Sequence, residues 1–279
     1  MPFQDIERTL RLIGQITDIN FNVITNIPDY GLLEEFHYLP VLTSRGCVFN
    51  CNYCAGAKLH GFLQYNPKIV AKSIISAYKK YAVKRFAFYD DALLYNSEKH
   101  INIILEKILE SGIKCEFYTP NGLHIRFLSD RTAELMKIAG FKDIRLSLES
   151  VNPVFMKNEG AKNTILEFKK AIEILRKQGF SQNQIMVYTL ANVPGQDPLS
   201  IKATLKTAFE SGTTPYLAFY SPVPGTPDFI RAKKLTDLSD PLFHNNTVYL
   251  YRSGFNLAYY QELKHILREY RLYANKVST

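Results

Sequence analysis

From residue 39 onward the chain alternates short β-branched or aromatic runs with longer segments of helical period. Leu39 to Thr43, Arg85 to Tyr89, Lys114 to Tyr118, Asp143 to Leu148, Gln184 to Leu190 and Tyr216 to Ser221 predict strands. Between them, Ile101, Ile104, Leu105 and Ile108, and again Ile201, Leu205 and Ala208, recur at the spacing of one helix face. The punctuation agrees. Asp197 followed by Pro198 is an N-cap with proline at the first helical position, Thr164 and Glu167 form a capping box, and Gly112, Gly140, Gly179 and Gly212 stand where helices should stop. Strands alternating with helices predict parallel pairing, since each return across a parallel sheet needs a crossover. That leaves an open doubly wound sheet or a barrel, complete or partial. In the fourth strand Ile144, Leu146 and Leu148 share one face and Arg145, Ser147 and Glu149 the other. A doubly covered sheet buries apolar residues on both faces, so this alternation favours a barrel with a polar row turned inward to a ligand. The plainer alternative is that these polar side chains satisfy one another in a packed interior.

The ends of the chain read differently. Residues 1–38 contain a helical stretch around Ile6 and Leu10, a strand at Ile19 to Thr25 and a turn at Pro28 to Tyr30, with no recognisable chemistry. After Gly225-Thr226-Pro227 the repeating pattern stops, and from about Asn256 one long helix is expected, with Tyr260, Leu263, Leu267 and Tyr270 on a packing stripe. The expected division is an N-terminal extension over 1–38, a catalytic core over 39–230 and a helical extension over 231–279.

Composition narrows the class. At 279 residues, 46% hydrophobic and 22% charged, the chain is long enough for one barrel and has a globular balance. No uncharged apolar run approaches membrane-spanning length, and Asp5, Glu7, Arg8 and Arg11 replace the apolar centre of a signal peptide, so a cytosolic location is expected. The net charge of +8 raises the question of nucleic acid, but Lys79, Lys80, Lys84, Lys169, Lys170, Arg176 and Lys177 lie on predicted outer helices without a nucleic-acid motif. A solvated basic face is the expected reading, with a small molecule favoured over RNA as substrate.

The chemistry gathers just after the first predicted strand, in Thr43-Ser44-Arg45-Gly46-Cys47-Val48-Phe49-Asn50-Cys51-Asn52-Tyr53-Cys54. Three of the four cysteines fall within eight residues, on a loop at a strand's C-terminal end, and in a reducing compartment such thiolates suit iron–sulfur or zinc. Three thiolates on a four-iron cube leave one iron open to a reactive ligand. A structural zinc of Cys3His type using His60 is the alternative. Cys115, in the third predicted strand, is expected to be a buried, unreactive thiol. Of His60, His100, His124, His244 and His265, only His124, beside Asn121-Gly122, lies near a predicted strand end.

Cys47-x3-Cys51-x2-Cys54 with Tyr53, preceded by Ser44-Arg45-Gly46, resembles the signature of radical S-adenosylmethionine enzymes. Asp90-Asp91-Ala92-Leu93, Pro120-Asn121-Gly122-Leu123, Leu146-Ser147-Leu148-Glu149-Ser150, Val193-Pro194-Gly195 and Pro222-Val223-Pro224-Gly225-Thr226-Pro227 extend the resemblance over about residues 39–230, toward the elongator-type, methylthiotransferase and cobalamin-dependent branch. The resemblance implies an α/β fold with a partial (βα)6 parallel barrel, a [4Fe–4S] cluster on Cys47, Cys51 and Cys54, and S-adenosylmethionine chelated to the open iron. It implies reductive cleavage to a 5′-deoxyadenosyl radical that abstracts hydrogen from substrate, with flavodoxin or ferredoxin as electron donor. By position it sets Tyr53 near the adenine, Asp90 or Asp91 at the ammonium group, Ser147 and Glu149 at the ribose or methionyl moiety, and Arg145 at the methionyl carboxylate. Tyr89-Asp90-Asp91 departs from the Gly-Gly-Glu segment the family often carries there. Cobalamin-dependent relatives carry a cobalamin domain before the barrel, and 38 residues do not hold one, so cobalamin is expected only through a separate protein. Two alternatives stay open: a cluster- or zinc-bearing binding protein that leaves S-adenosylmethionine intact, and an RNA-modifying member of the same family.

Overall fold

The computed structural model describes residues 30–32, 36–59, 61–160 and 163–277. The predicted helix around Ile6 and Leu10, the predicted strand at Ile19 to Thr25 and His60 lie outside the described residues. Strands β1 (Leu39–Val41), β4 (Arg85–Phe88) and β5 (Glu116–Tyr118) pair in parallel in that order, as do β6 (Ile144–Ser147), β7 (Ile185–Ala191) and β8 (Thr214–Phe219). The parallel bridges Phe117–Phe141 and Leu123–Leu146 join the two groups into one arc. Each of these strands neighbours the next in chain order, so right-handed crossovers put the connecting helices on one side and leave the other as a concave face. Among the described residues no pairing joins β8 back to β1, and the fold is the partial barrel expected.

The outer face carries the core. Leu39, Phe86, Phe88, Phe117, Ile144, Leu146, Ile185 and Val187 are buried under the helices, and Phe88 and Phe141 stack with their planes 8° apart. Helices α2 (Pro67–Tyr81), α3 (Ile101–Glu110), α4 (Asp130–Ala139), α6 (Ile165–Lys177) and α7 (Pro198–Glu210) follow the short α1 (Gly56–Leu59), with α5 (Pro153–Asn158) before α6. Asn66 caps α2 through the Lys68 amide, with Pro67 at the first position, and Val70, Ala71, Ile74 and Ala77 form its buried stripe. In α3 the buried side includes Ile101, Ile104, Leu105 and Ile108, and truncating one such side chain to alanine costs about 2–5 kcal/mol. Thr164 and Glu167 close a capping box on α6, and Asp197 caps α7. Gly140 ends α4 in the left-handed region at φ 103°, where a Cβ would lie 2.3 Å from the Cys115 carbonyl oxygen.

Two differences from the sequence pattern have physical causes. The last strand begins two residues early, at Thr214, because an edge strand tolerates Pro215, which reads as a turn signal in the sequence. The antiparallel pair β2 (Ser44–Arg45) and β3 (Leu63–Gln64) is too short to leave an alternation, yet it closes the base of the cysteine loop. Beyond β8 come α8 (Pro227–Ala232), α9 (Asn246–Arg252) and the long α10 (Leu257–Val277). The α10 stripe is packing: Leu263 and Leu267 are buried, and Tyr270 stacks on Phe209 at 4.0 Å. No described helix is long and apolar enough to cross a membrane.

Candidate active site

The site lies at the C-terminal ends of the strands, where the loop after β1 turns back on itself. Its start is fastened by Asp90, just past β4. The Asp90 Oδ1 accepts from the Thr43 amide at 2.9 Å, the Thr43 hydroxyl at 2.7 Å and the Ser44 hydroxyl at 2.6 Å. Burial pushes the Asp90 carboxyl up to about 6, while the Ser44 and Thr43 hydrogen bonds oppose it. His100 Nε2 meets the same Thr43 hydroxyl at 3.0 Å, and burial pushes the imidazole down to about 4. A neutral His100 therefore gives its proton to the oxygen that gives its own to Asp90. Oδ2 of Asp90 is buried without a hydrogen-bond partner.

The loop itself has three further tethers. The Asn52 amide donates to the Glu159 carbonyl at 3.3 Å, and the Asn52 side chain donates to the Asn158 carbonyl at 2.6 Å. The Asn52 carbonyl in turn accepts from the Asp228 amide at 3.2 Å. Gly160, at φ 74°, passes so close that a Cβ there would lie 3.2 Å from the Asn50 carbonyl oxygen. Arg231 on α8 holds the buried carboxylates of both Glu159 and Asp228. Burial, opposed by Arg231 and reinforced by Asp228, pushes the Glu159 carboxyl up to about 7.

The donor set suits a cluster. None of the three loop cysteines is in a disulfide, with Cys51 buried and Cys47 and Cys54 half-buried. Cys47 Sγ accepts from the Phe49 amide at 3.5 Å and Cys54 Sγ from the Gly56 amide at 3.4 Å. A Cβ on Gly56 would come within 3.3 Å of the Cys47 Cβ, so the loop wraps and brings its two ends together. No three Cys, His, Asp or Glu side chains among the described residues close on a single ion. A four-iron cube does not ask that of them, since each cysteine binds a different iron.

The sequence-predicted contacts fall into four places. Tyr53 and Glu149 meet, the phenol donating to Glu149 Oε1 at 3.1 Å while Glu149 Oε2 is buried without a hydrogen-bond partner. Burial, then the charges of Glu149 and Cys51, push the Tyr53 phenol well above its usual 10, so it stays a donor linking the cysteine loop to the end of β6. Asp91 lies against the loop: its backbone oxygen is 3.9 Å from Cys47 Sγ, and its carboxyl group borders Gly56. Ser147 packs under Gly122, where a Cβ would lie 2.4 Å from the Ser147 hydroxyl oxygen. Arg145 lies deeper, its Nε 3.0 Å from Asp143 and its Nη1 2.7 Å from the Tyr188 hydroxyl.

His124, noticed in sequence only for its place near a strand end, proves adjacent to the loop. Its Nε2 is 3.8 Å from Cys47 Sγ and its ring stacks on Phe49 at 4.1 Å. Glu159 and His100 carry no sequence signal for their roles, because their partners Arg231 and Thr43 are distant in the chain, and the nearby pair of Asp228 and Arg231 gives no sign of Glu159 as its third member. Cys115 is buried in the core, and burial raises its thiol to about 12.

The family model of the radical SAM superfamily matches residues 41–208. An uncharacterized methyltransferase of Pyrococcus horikoshii is 25% identical over 191 residues, covering 65% of this chain and 40% of the relative. The bacteriochlorophyllide d C-8(2)-methyltransferase of Chlorobaculum tepidum is 28% identical over 177 residues, covering 61% of this chain and 39% of its own. The chain thus spans about two fifths of the length of these relatives. The structure of the radical S-adenosylmethionine methyltransferase TsrM from Kitasatospora setae superposes with a TM-score of 0.58 at 17% identity, over 71% of this chain and 39% of that one.

Proposed function

Because this chain belongs to the radical SAM superfamily, whose enzymes use a [4Fe–4S] cluster and S-adenosylmethionine, we propose that Cys47, Cys51 and Cys54 hold the cluster and that Tyr53 and Glu149 frame the cosubstrate beside it. When bound, a reduced cluster with one open iron supplies reductive cleavage of S-adenosylmethionine to methionine and a 5′-deoxyadenosyl radical, which takes hydrogen from a substrate. The chain's own residues position and exclude. Asp90, Glu159, Asp228 and Arg231 fasten the loop, and His124 and Phe49 cover Cys47 on one side. The orphaned oxygens of Asp90 and Glu149 are acceptors for an ammonium or ribose hydroxyl group, since a buried carboxylate oxygen without a partner calls for a donor, and Asp91 lies against the loop.

The observation that carries this reading is the Tyr53–Glu149 contact: a residue between two loop cysteines touches the inner end of β6 and leaves a buried acceptor open. A small molecule is favoured over RNA, with a flavodoxin or ferredoxin as electron donor. The names of the two relatives favour methyl transfer as the group chemistry. The test is anaerobic incubation of reconstituted protein with dithionite and S-adenosylmethionine, followed by chromatography. Slow release of 5′-deoxyadenosine, absent from Cys47→Ala, Cys51→Ala and Cys54→Ala, is expected. A reducible cluster that yields none would overturn the reading, and S-adenosylhomocysteine formed only with added cobalamin would support methyl transfer.

A further inference from the structure

Below the cysteine loop the concave face is layered. At the N-terminal ends of the strands Glu116 takes Arg85 at 3.0 Å and Lys142 at 3.6 Å, a floor of paired charge. At the opposite rim stand Ser147 and Glu149. Between them, β6 turns Arg145 inward, two residues below Ser147 and four below Glu149, roughly 7 and 13 Å along the strand. The Asp143 and Tyr188 contacts hold the guanidinium at two points, and the Tyr188 hydroxyl itself donates to the Pro120 carbonyl at 3.1 Å. The other N–H groups of Arg145 have no partner among the described residues, and its side chain is 32% exposed.

Aromatic rings flank that arginine. Tyr216, level with Tyr188 in the sheet register, meets it edge to face at 6.5 Å, and Arg271 backs the Tyr216 ring at 4.4 Å. Toward the other side Tyr89, 37% exposed, pairs with the Tyr38 hydroxyl at 3.1 Å. Tyr89 is near enough to Arg145 to feel its charge: the Tyr38 contact and burial raise the phenol, and the guanidinium opposes them. Asp143 spends its Oδ1 on the Thr119 amide and its Oδ2 on Arg145, so it is turned from the open face. With Asp143 matched by Arg145 and Glu116 by Arg85, Lys142 and Arg271 leave the belt net positive.

A guanidinium held at Nε by Asp143 and at Nη1 by Tyr188 is preorganised, and its Nη2 N–H groups remain for a charge-assisted hydrogen bond to a carboxylate. Rigid tyrosine rings on both sides suit a flat unsaturated body at little entropic cost. We propose that Arg145, with Tyr89, Tyr188 and Tyr216, anchors the substrate: a planar, unsaturated molecule whose carboxylate accepts from Nη2 of Arg145 while its body extends toward the cysteine loop. This rests on the reading above for the place of the cosubstrate at the rim, and it moves Arg145 from the methionyl carboxylate to the substrate.

The test uses the reconstituted full chain and two probes of one shape, 2-naphthoate and neutral 2-naphthamide, titrated by naphthalene fluorescence against a protein that has no tryptophan. Naphthoate should bind roughly ten-fold or more tightly than the amide, the fold-change of a charge-assisted hydrogen bond. Arg145→Gln should erase that preference and leave S-adenosylmethionine affinity unchanged. Tyr89→Leu, on an exposed ring, should weaken both probes alike and keep the preference, which gives a second reading if Arg145→Gln does not fold. Failure of the wild type to bind naphthoate, or equal binding of the two probes, overturns the proposal. So does an Arg145→Gln variant that loses S-adenosylmethionine and keeps naphthoate. A wild type that prefers naphthoate but binds no S-adenosylmethionine would support the anchor and sink the cosubstrate reading instead.

Discussion

Asp90 shows how a single residue divides its work: one oxygen carries three hydrogen bonds that fasten the cysteine loop, and the other is buried without a hydrogen-bond partner. Its folded carboxyl titrates near 6 against an ordinary 3.8, so the proton is bound more tightly in the folded state. The stability this confers is fully present below 3.8 and is lost as pH rises through about 6. Denaturant titrations of the apo-protein should therefore show wild type losing up to about 3 kcal/mol relative to Asp90→Asn between pH 4 and 7. Parallel pH profiles would refute the shift. His100 acts in the opposite direction, being held neutral, which is why the difference from Asp90→Asn is the quantity to read. Cys115 offers a second check. With its thiol pushed to about 12 and its side chain buried, it should resist alkylation at pH 8 while Cys47 and Cys54 of the apo-protein react. Mass spectrometry of iodoacetamide-treated protein decides it. His124→Phe keeps a ring on Phe49 but removes the ring nitrogen 3.8 Å from Cys47 Sγ, and the cluster's midpoint potential should fall, because a nitrogen that donates to a ligand sulfur stabilises the reduced state. An unchanged potential would make His124 a packing residue only.

At the scale of elements, the sequence revealed what repeats and concealed what does not. The Ile144-Leu146-Leu148 row against Arg145-Ser147-Glu149 is visible in sequence because alternation is set by covalent geometry, and the burial pattern along β6 follows it. Capping boxes and stop glycines are legible for the same reason: they are local. The lock on the cysteine loop is not. Asp228 and Arg231 are neighbours on α8, but Glu159 lies 72 residues from Arg231, and nothing in composition marks it as the third member. Removing the cation should leave two buried carboxylates facing each other. Arg231→Leu is expected to cost roughly 3 kcal/mol and to lower the iron retained per chain after desalting. Full iron retention with wild-type stability would show that the loop is held by its backbone contacts alone.

For the whole molecule, one-sided crossovers leave a concave face open to ligands, and the long C-terminal helix supports it from outside through Leu263, Leu267 and Tyr270. The polar row of Arg145, Ser147 and Glu149 favoured a barrel over an open sheet, and parallel pairing was readable in the alternation of strands and helices. The belt around Arg145 was not, because it needs the register that sets Tyr188 beside Tyr216 and the backing of Arg271 from α10. The net charge of +8 belongs to the same scale. Spread as it is, it should bind transfer RNA weakly, without sequence preference and with a steep fall as salt is raised, in filter-binding assays at several salt concentrations. Tight, selective binding at physiological salt would favour an RNA substrate. The central claim is that three cysteines on this rim hold a four-iron cluster with one iron left for S-adenosylmethionine. Electron paramagnetic resonance of the dithionite-reduced, reconstituted protein tests it most directly. The account predicts a signal of a reduced [4Fe–4S] cluster that shifts when S-adenosylmethionine is added and is lost in each of the Cys47→Ala, Cys51→Ala and Cys54→Ala variants. A signal indifferent to S-adenosylmethionine, or one that survives those substitutions, would contradict it.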